Sequence, residues 1–265
     1  MSTSSVRPLS SLTLPIGLLA GLLINPVQAQ TLHLDVPYVP TPEAVVAHML
    51  EVANVGPDDY LIDLGSGDGR IAIAAVEARG AKAAYGIDLN PVRVSEAQEN
   101  AEQAGVADRV TFEQGDLFEK DISEADVLTM YLLSTVNMRL RPVILDTLKP
   151  GTRVVSHAFD LGDWEPDQAD VINGTSVYLW IVPAKVAGQW TIEADGKAYQ
   201  VELEQRFQQV VGSVDGQAGG LSGQLKGSEL HFTLGDKRYI GEVDGDRIEA
   251  ISAEGAVPGW VARRS

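Results

Sequence analysis

Two hydrophobic periods alternate along the first half of the chain. Compact apolar runs fall at about 60–64, 83–87, 110–113, 125–131 and 152–157, and between several of them apolar residues recur every three or four positions, over 69–79, 92–104 and 136–148. A further stretch of helical period precedes them, with Val45, Val46, Met49, Leu50 and Ala53 on one face of residues 42–54. Strand followed by helix, repeated, predicts an α/β fold with a mostly parallel, Rossmann-like sheet. The punctuation agrees: Thr41 stands as an N-cap before Pro42 and Asn90 before Pro91, while Gly56-Pro57, Gly105 and Pro150-Gly151 stop helices. After His157 the alternation ends. Asp170 to Ile172 and Ser176 to Val182 flank Asn173-Gly174, which predicts a terminal antiparallel hairpin and brings the sheet to seven strands.

From Ala184 onward there is no helical period, only short alternating runs split by Gly and Asp. Gly223-x-Leu225-x-Gly227-x-x-Leu230 is repeated eighteen residues later as Gly241-x-Val243-x-Gly245-x-x-Ile248, a spacing that suits successive hairpins. The region reads as a small antiparallel β meander or barrel, with Trp190 and Trp260 in its core. The domain reading is therefore 30–184 for the α/β unit and 185–265 for the all-β unit.

Residues 1–29 read differently again. Arg7 is a basic flank, Leu14 to Ile24 is apolar, and Val27-Gln28-Ala29 has the small or apolar residues of a cleavage site. This predicts an export signal and a periplasmic or otherwise extracytoplasmic protein, the alternative being an uncleaved membrane anchor. At 45% hydrophobic and 22% charged residues the rest can build a substantial core. The net charge of −17 argues against a nucleic-acid partner, because phosphate binding needs clustered Lys and Arg; it tolerates a basic or membrane-associated one. There is no cysteine, and the four histidines are scattered without ligand spacing, so no metal site is expected.

The chemistry concentrates in Tyr60-Leu-Ile-Asp-Leu-Gly-Ser-Gly-Asp-Gly-Arg-Ile-Ala-Ile73, a buried strand, a tight loop and a helix start. A dinucleotide fingerprint would need Gly-x-Gly-x-x-Gly, but counting from Gly65 the final slot holds Arg70. The observed Asp-x-Gly-x-Gly-x-Gly instead resembles motif I of class I S-adenosylmethionine-dependent methyltransferases. That resemblance implies a cofactor with an amino-acid end, a ribose and an adenine. Gly65, Ser66 and Gly67 would let the main chain approach it. Asp63 would accept from the loop amides or, through water, from the ammonium. Asp88, with Leu89 beside it, would take the ribose hydroxyls, and Asp116-Leu117 the adenine. All three acids fall at or near the ends of predicted strands, where ligands collect in open α/β sheets.

The likeness extends further. Tyr38-Val-Pro-Thr-Pro42, Asp63 to Arg70, Asn90-Pro91, Tyr131-Leu-Leu133, Leu148-Lys-Pro-Gly151, Val154-Val-Ser-His-Ala-Phe159, Trp164 and Val177-Tyr-Leu-Trp180 together resemble the ATP synthase c-subunit lysine methyltransferase family and its prokaryotic relatives. This implies methyl transfer to a protein with an accessible lysine. Ser134, where that family has proline, and the all-β tail depart from its pattern. Tyr131, at the end of the fourth strand, and Tyr38, in the lead-in segment, are the candidate catalytic residues; His157 reads as a structural histidine before a base. A small-molecule N- or O-methyltransferase and an exported, non-catalytic binding protein stay open as alternatives.

Overall fold

A computed structural model describes residues 1–2 and 38–265. The expected signal or anchor at 1–29 lies almost wholly outside the described residues. From Pro42 the elements are α1 (Glu43–Val52), β1 (Tyr60–Leu64), α2 (Arg70–Glu77), β2 (Ala83–Asp88), α3 (Pro91–Gln103), β3 (Val110–Gln114), β4 (Val127–Met130), α4 (Ser134–Thr147), β5 (Arg153–His157), β6 (Gln168–Ile172) and β7 (Thr175–Ile181). They form a seven-stranded sheet in the order β3-β2-β1-β4-β5-β7-β6. The first five strands of that order are parallel, and β7 runs antiparallel to both β5 and β6. The sheet is the expected one. The hairpin turns at Asn173-Gly174, with φ 52° and 81°.

Both faces are covered. Val45, Val46, Met49 and Leu50 of α1 pack with Ile71, Ala72, Ala75 and Val76 of α2 and Val94 and Ala97 of α3 on one side. On the other, Val136, Leu140 and Ile144 of α4 join Leu128, Met130, Trp164 and Trp180. Such a sheet can be continuously apolar along its strands, and β4 is buried at all four positions.

One cap differs from the reading of the sequence. Pro42, not Thr41, is the N-cap of α1, with φ −60° and ψ 144° and no side-chain cap. Thr41 is diverted: its hydroxyl pairs with Nδ1 of His157 at 3.1 Å. Asn90, by contrast, caps α3 through its side chain, which accepts from Val92 N, with Pro91 at the first helical position.

The tail closes completely. β8 (Gly188–Ala194), β9 (Lys197–Arg206), β10 (Gln209–Val214), β11 (Gln217–Lys226), β12 (Glu229–Leu234), β13 (Lys237–Asp244), β14 (Arg247–Ala250) and β15 (Val261–Arg264) form an eight-stranded barrel, with β15 pairing back onto β8. Closure removes the free edges that a meander would leave. Its interior is filled with side chains, Trp190, Phe232, Tyr239 and Trp260 among them, and both tryptophans are core as expected. The repeated pattern marks two of its hairpins, turning at Gly227 and Gly245.

Candidate active site

The strand order reverses at β1: β2 and β3 lie on one side of it, β4 and β5 on the other, so the carboxyl ends of β1, β2 and β4 open onto one crevice. The glycine loop crosses this edge. Gly65 N and Ser66 N donate to the Ile87 carbonyl at the end of β2, at 2.8 and 3.0 Å. Gly65 and Gly67 have φ of 73° and 54°. A Cβ at Gly65 would come within 2.7 Å of Leu132 Cδ2, and one at Gly67 within 2.6 Å of the Tyr38 ring. Two independent constraints, backbone angle and close approach, thus require glycine at 67.

Asp88 ties this loop to the next. Its Oδ2 accepts from Gly67 N at 2.9 Å and its Oδ1 from Asn90 N at 2.8 Å. A carboxylate has roughly four lone-pair sites, so each oxygen keeps an acceptor direction for a ligand. Asp116 is held by Phe118 N, which donates to its Oδ1 at 2.9 Å.

Asp63 departs from the first of its two expected roles. The loop amides do not reach it, because two of them are committed to Ile87. Instead Oδ1 accepts from the Thr129 hydroxyl at 2.7 Å, the two residues lying opposite each other in the β1–β4 register. Asp63 is 2% exposed. Burial pushes its pKa up to about 7, with Thr129 opposing the shift and Asp88 and Asp68 adding to it.

These residues line two adjoining clefts. One is walled by Tyr38, Asp63, Ser66, Gly67 and Tyr131; the other by Ile87, Leu89, Asp116, Leu117 and Phe118. Gly65, Asp88 and Leu132 belong to both. All ten residues singled out in the sequence are therefore brought together. The first cleft is polar and acidic; the second is largely apolar, with Asp116 at its wall besides the shared Asp88. Ser66 Oγ is buried without a hydrogen-bond partner beside the first cleft.

Residues outside that set of ten complete the walls. Asp68 and Arg70 form a two-pronged ion pair, Nε to Oδ1 at 2.9 Å and Nη2 to Oδ2 at 2.5 Å, and Arg70 Nη1 donates to the Thr41 carbonyl at 2.9 Å. Burial raises the Asp68 carboxyl, but Arg70 outweighs it and the net shift is downward. The lead-in segment is thereby clamped over the glycine loop. Tyr38 lies on Gly67 with Arg93 stacked 4.5 Å from its ring centre, and burial together with Asp68 raises its pKa. Tyr131 backs onto His157, ring centres 3.8 Å apart, and Phe159, at 6.2 Å. His157 is 3% exposed, its pKa depressed by burial, and it stands behind Tyr131 rather than in either cleft. Leu132 was within reach of the sequence, next to Tyr131; Arg93 was not, being one polar helical position among several.

A family model described as the ANTKMT methyltransferase domain matches residues 63–168, from the glycine loop to the start of β6. A protein-lysine N-methyltransferase of Saccharolobus islandicus (strain REY15A) is 49% identical over 151 residues, 56% of this chain and 94% of that protein. The chain belongs to the methyltransferase family of that protein. Within that family's reach, the adenine nucleotide translocase lysine N-methyltransferase of Mus musculus is 34% identical over 147 residues, and the match spans 63% of the mouse protein. A crystal structure named RNA methyltransferase, from Salinibacter ruber in complex with S-adenosyl-L-homocysteine, is 54% identical, superposes with a TM-score of 0.55, and covers 56% of this chain and 96% of its own. The two similar proteins and the crystal structure each cover 55–56% of this methyltransferase, and the family model, which matches residues 63–168, ends before its barrel.

Proposed function

We propose that this methyltransferase transfers a methyl group from S-adenosylmethionine to the side-chain amine of a protein lysine. The observation that carries the reading is the pair of clefts joined at Asp88. Their division into an acidic and an apolar chamber matches a ligand with an ammonium at one end and an aromatic base at the other.

The residues present fit that cofactor. Asp88, in the wall shared by the chambers, has acceptor directions left for two vicinal hydroxyls. Leu89, Leu117 and Phe118 offer apolar surface to an adenine and Asp116 an acceptor to its amino group. Gly65, Ser66 and Gly67 bring main chain and an unpartnered hydroxyl close, and Asp63 sits beneath as a buried counter-charge. When bound, the cofactor supplies a methyl group made electrophilic by the neighbouring sulfonium.

The chain's own residues then have to align and dry the acceptor. A lysine ammonium, with an ordinary pKa of about 10.4, must lose a proton before its nitrogen can form the new N–C bond as the S–C bond breaks. Tyr131, in the wall of the first cleft, presents a phenol to that nitrogen, and Tyr38 closes the cleft from the lead-in segment. The −17 charge supports a basic protein acceptor over RNA. We extend the reading to a membrane-associated acceptor on the support of Val39 and Val92, 54% and 62% exposed beside the first cleft, and of the apolar Leu14 to Ile24. Export through residues 1–29, with 30–184 as the catalytic domain, belongs to the same proposal.

The test is incubation of purified protein and methyl-labelled cofactor with soluble, envelope, RNA and small-molecule fractions. Label recovered as methyl-lysine from protein is expected. Label in RNA or in small molecules alone would sink the lysine reading. Tyr131→Phe, assayed at saturating cofactor, is expected to lower turnover at least tenfold.

A further inference from the structure

Two hairpin tips of the barrel lie against the methyltransferase half, Gly227 beside Gly151 and Ile181 and Phe207 beside Trp164, and the second breaks the rule the other tips obey. Six of the barrel's connections are two-residue turns, and in each the first residue has positive φ: Asp195 (53°), Phe207 (53°), Asp215 (48°), Gly227 (62°), Gly235 (64°) and Gly245 (55°). Five are Gly or Asp, the residues that tolerate this region. Phe207 is a bulky side chain held where bulky side chains are outliers. Strain of this kind persists only where surrounding contacts over-determine it.

Those contacts lie on the β5–β6 loop. The Phe207 ring stacks on Trp164, centres 6.0 Å apart and planes 18° apart, and Trp164 is fully buried. Gln208, 4% exposed, donates from Nε2 to the Glu165 carbonyl at 2.8 Å. Arg206 reaches Asp163 at 2.7 Å, and Arg141 of α4 pairs with the same carboxylate. Both guanidinium groups lie over the Phe207 ring, at 5.9 and 5.2 Å. Behind the tip, Gln205 Nε2 donates to the carbonyls of Phe207 and Ala184, each at 2.8 Å.

The loop so gripped begins at the wall of the first cleft. Ala158 opens it with φ 67°, and Phe159 stacks beside Tyr131. Asn137 spans it, donating to the carbonyls of Phe159 at 3.1 Å and Asp160 at 3.2 Å, while its own Oδ1 is buried without a partner. The near end of the loop is therefore fixed by α4, whereas the far end is held jointly, by Arg141 of α4 at the Leu161 carbonyl, by Trp180 of β7, whose Nε1 donates to the Trp164 carbonyl at 2.8 Å, and by the barrel tip.

We infer that Phe207 is a positioning residue: the barrel tip fixes the β5–β6 loop and thereby the aromatic backing of Tyr131 on the acceptor side, without touching the cofactor side. This rests on the reading of Tyr131 as facing the acceptor. It gives the tail a task in the reaction, and assigns its strained turn to the grip on Trp164.

The test uses the full chain with Phe207→Gly, which suits the backbone angle while removing the ring, and Phe207→Tyr, which keeps the ring. Hydrogen exchange is followed by mass spectrometry in peptides covering 158–165, S-adenosylhomocysteine affinity by titration, and methyl transfer to the envelope protein fraction at saturating cofactor. In Phe207→Gly, exchange in 158–165 is expected to rise at least tenfold and methyl transfer to fall at least fivefold, with affinity held within twofold; Phe207→Tyr restores both. Unchanged protection of 158–165, or exchange rising equally across the barrel strands, would overturn the inference. So would a matching loss of S-adenosylhomocysteine affinity. If no fraction accepts methyl from the unsubstituted protein, the lysine reading fails while exchange still decides the grip.

Discussion

In the seven-stranded sheet, β1, β2 and β4 end side by side, and the groups left at their ends face a common crevice. In the barrel, six of the seven connections are two-residue tips, and the interior is filled by Trp190, Phe232, Tyr239 and Trp260. The contrast follows from strand direction. Parallel strands must cross back through helices, so their carboxyl ends gather at one edge with amides and carboxylates that no hairpin closes. Antiparallel neighbours satisfy one another at every turn. Sites therefore collect in the first half and packing in the second, and substitutions in the two halves should fail in different measurements.

The largest effect is expected at Asp88, where loop geometry and ligand acceptor coincide. Asp88→Ala removes the partners of Gly67 N and Asn90 N along with the free lone pairs. Affinity for S-adenosylhomocysteine should fall at least 100-fold, about 3 kcal/mol, with a smaller loss of thermal stability. Unchanged affinity in a calorimetric titration would remove Asp88 from the site. Gly241→Ala makes the opposite lesion. Its Cβ would meet the Trp260 ring and Ile248 at 2.6 and 2.8 Å, with no loop to absorb the strain. Overpacking of this kind costs about 2 kcal/mol, read as a drop in Tm, while cofactor affinity stays within twofold. A parallel loss of affinity would show that the halves are not separable in this way.

How much of this was legible in the sequence depended on how local the cause was. The glycine loop, the Asn90 cap and the Asn173-Gly174 turn are set by residues within a few positions, and each is found where its residues predict. Thr41 looks like a cap for the same local reasons, yet a histidine 116 residues away takes its hydroxyl. Asp63 has its partner 66 residues on, in a neighbouring strand, which only the β1–β4 register reveals. Barrel closure was undecided between meander and barrel because it rests on one distant pairing, β15 with β8. The Phe207 turn carried a signal, an aromatic residue where a two-residue turn expects Gly, Asn or Asp, but its meaning needed Trp164 alongside.

The smallest expected effect sharpens the comparison most, because it concerns what a strand-end site costs. Asp63 is a buried carboxyl with one hydroxyl partner and a pKa raised to about 7. Between its ordinary value near 4 and that raised value, the folded chain holds a proton that the unfolded chain has released. Stability from this group is thus complete at low pH and lost as pH rises toward 7, levelling off above. His157 works in the other direction: burial depresses its pKa, so its contribution is present above the ordinary histidine value and lost as pH falls below it. Asp63→Asn keeps an oxygen for Thr129 and abolishes the first slope alone. In urea unfolding without cofactor, the variant should gain more stability at pH 8 than at pH 5, by on the order of 1–2 kcal/mol. Equal gains at both pH values would mean that Asp63 carries no proton in the folded protein, and that the crevice hydrates it better than its burial implies. A pH-dependent gain would identify the buried anion as a standing cost of the open strand end, one that a bound ammonium group offsets and that the filled barrel does not incur.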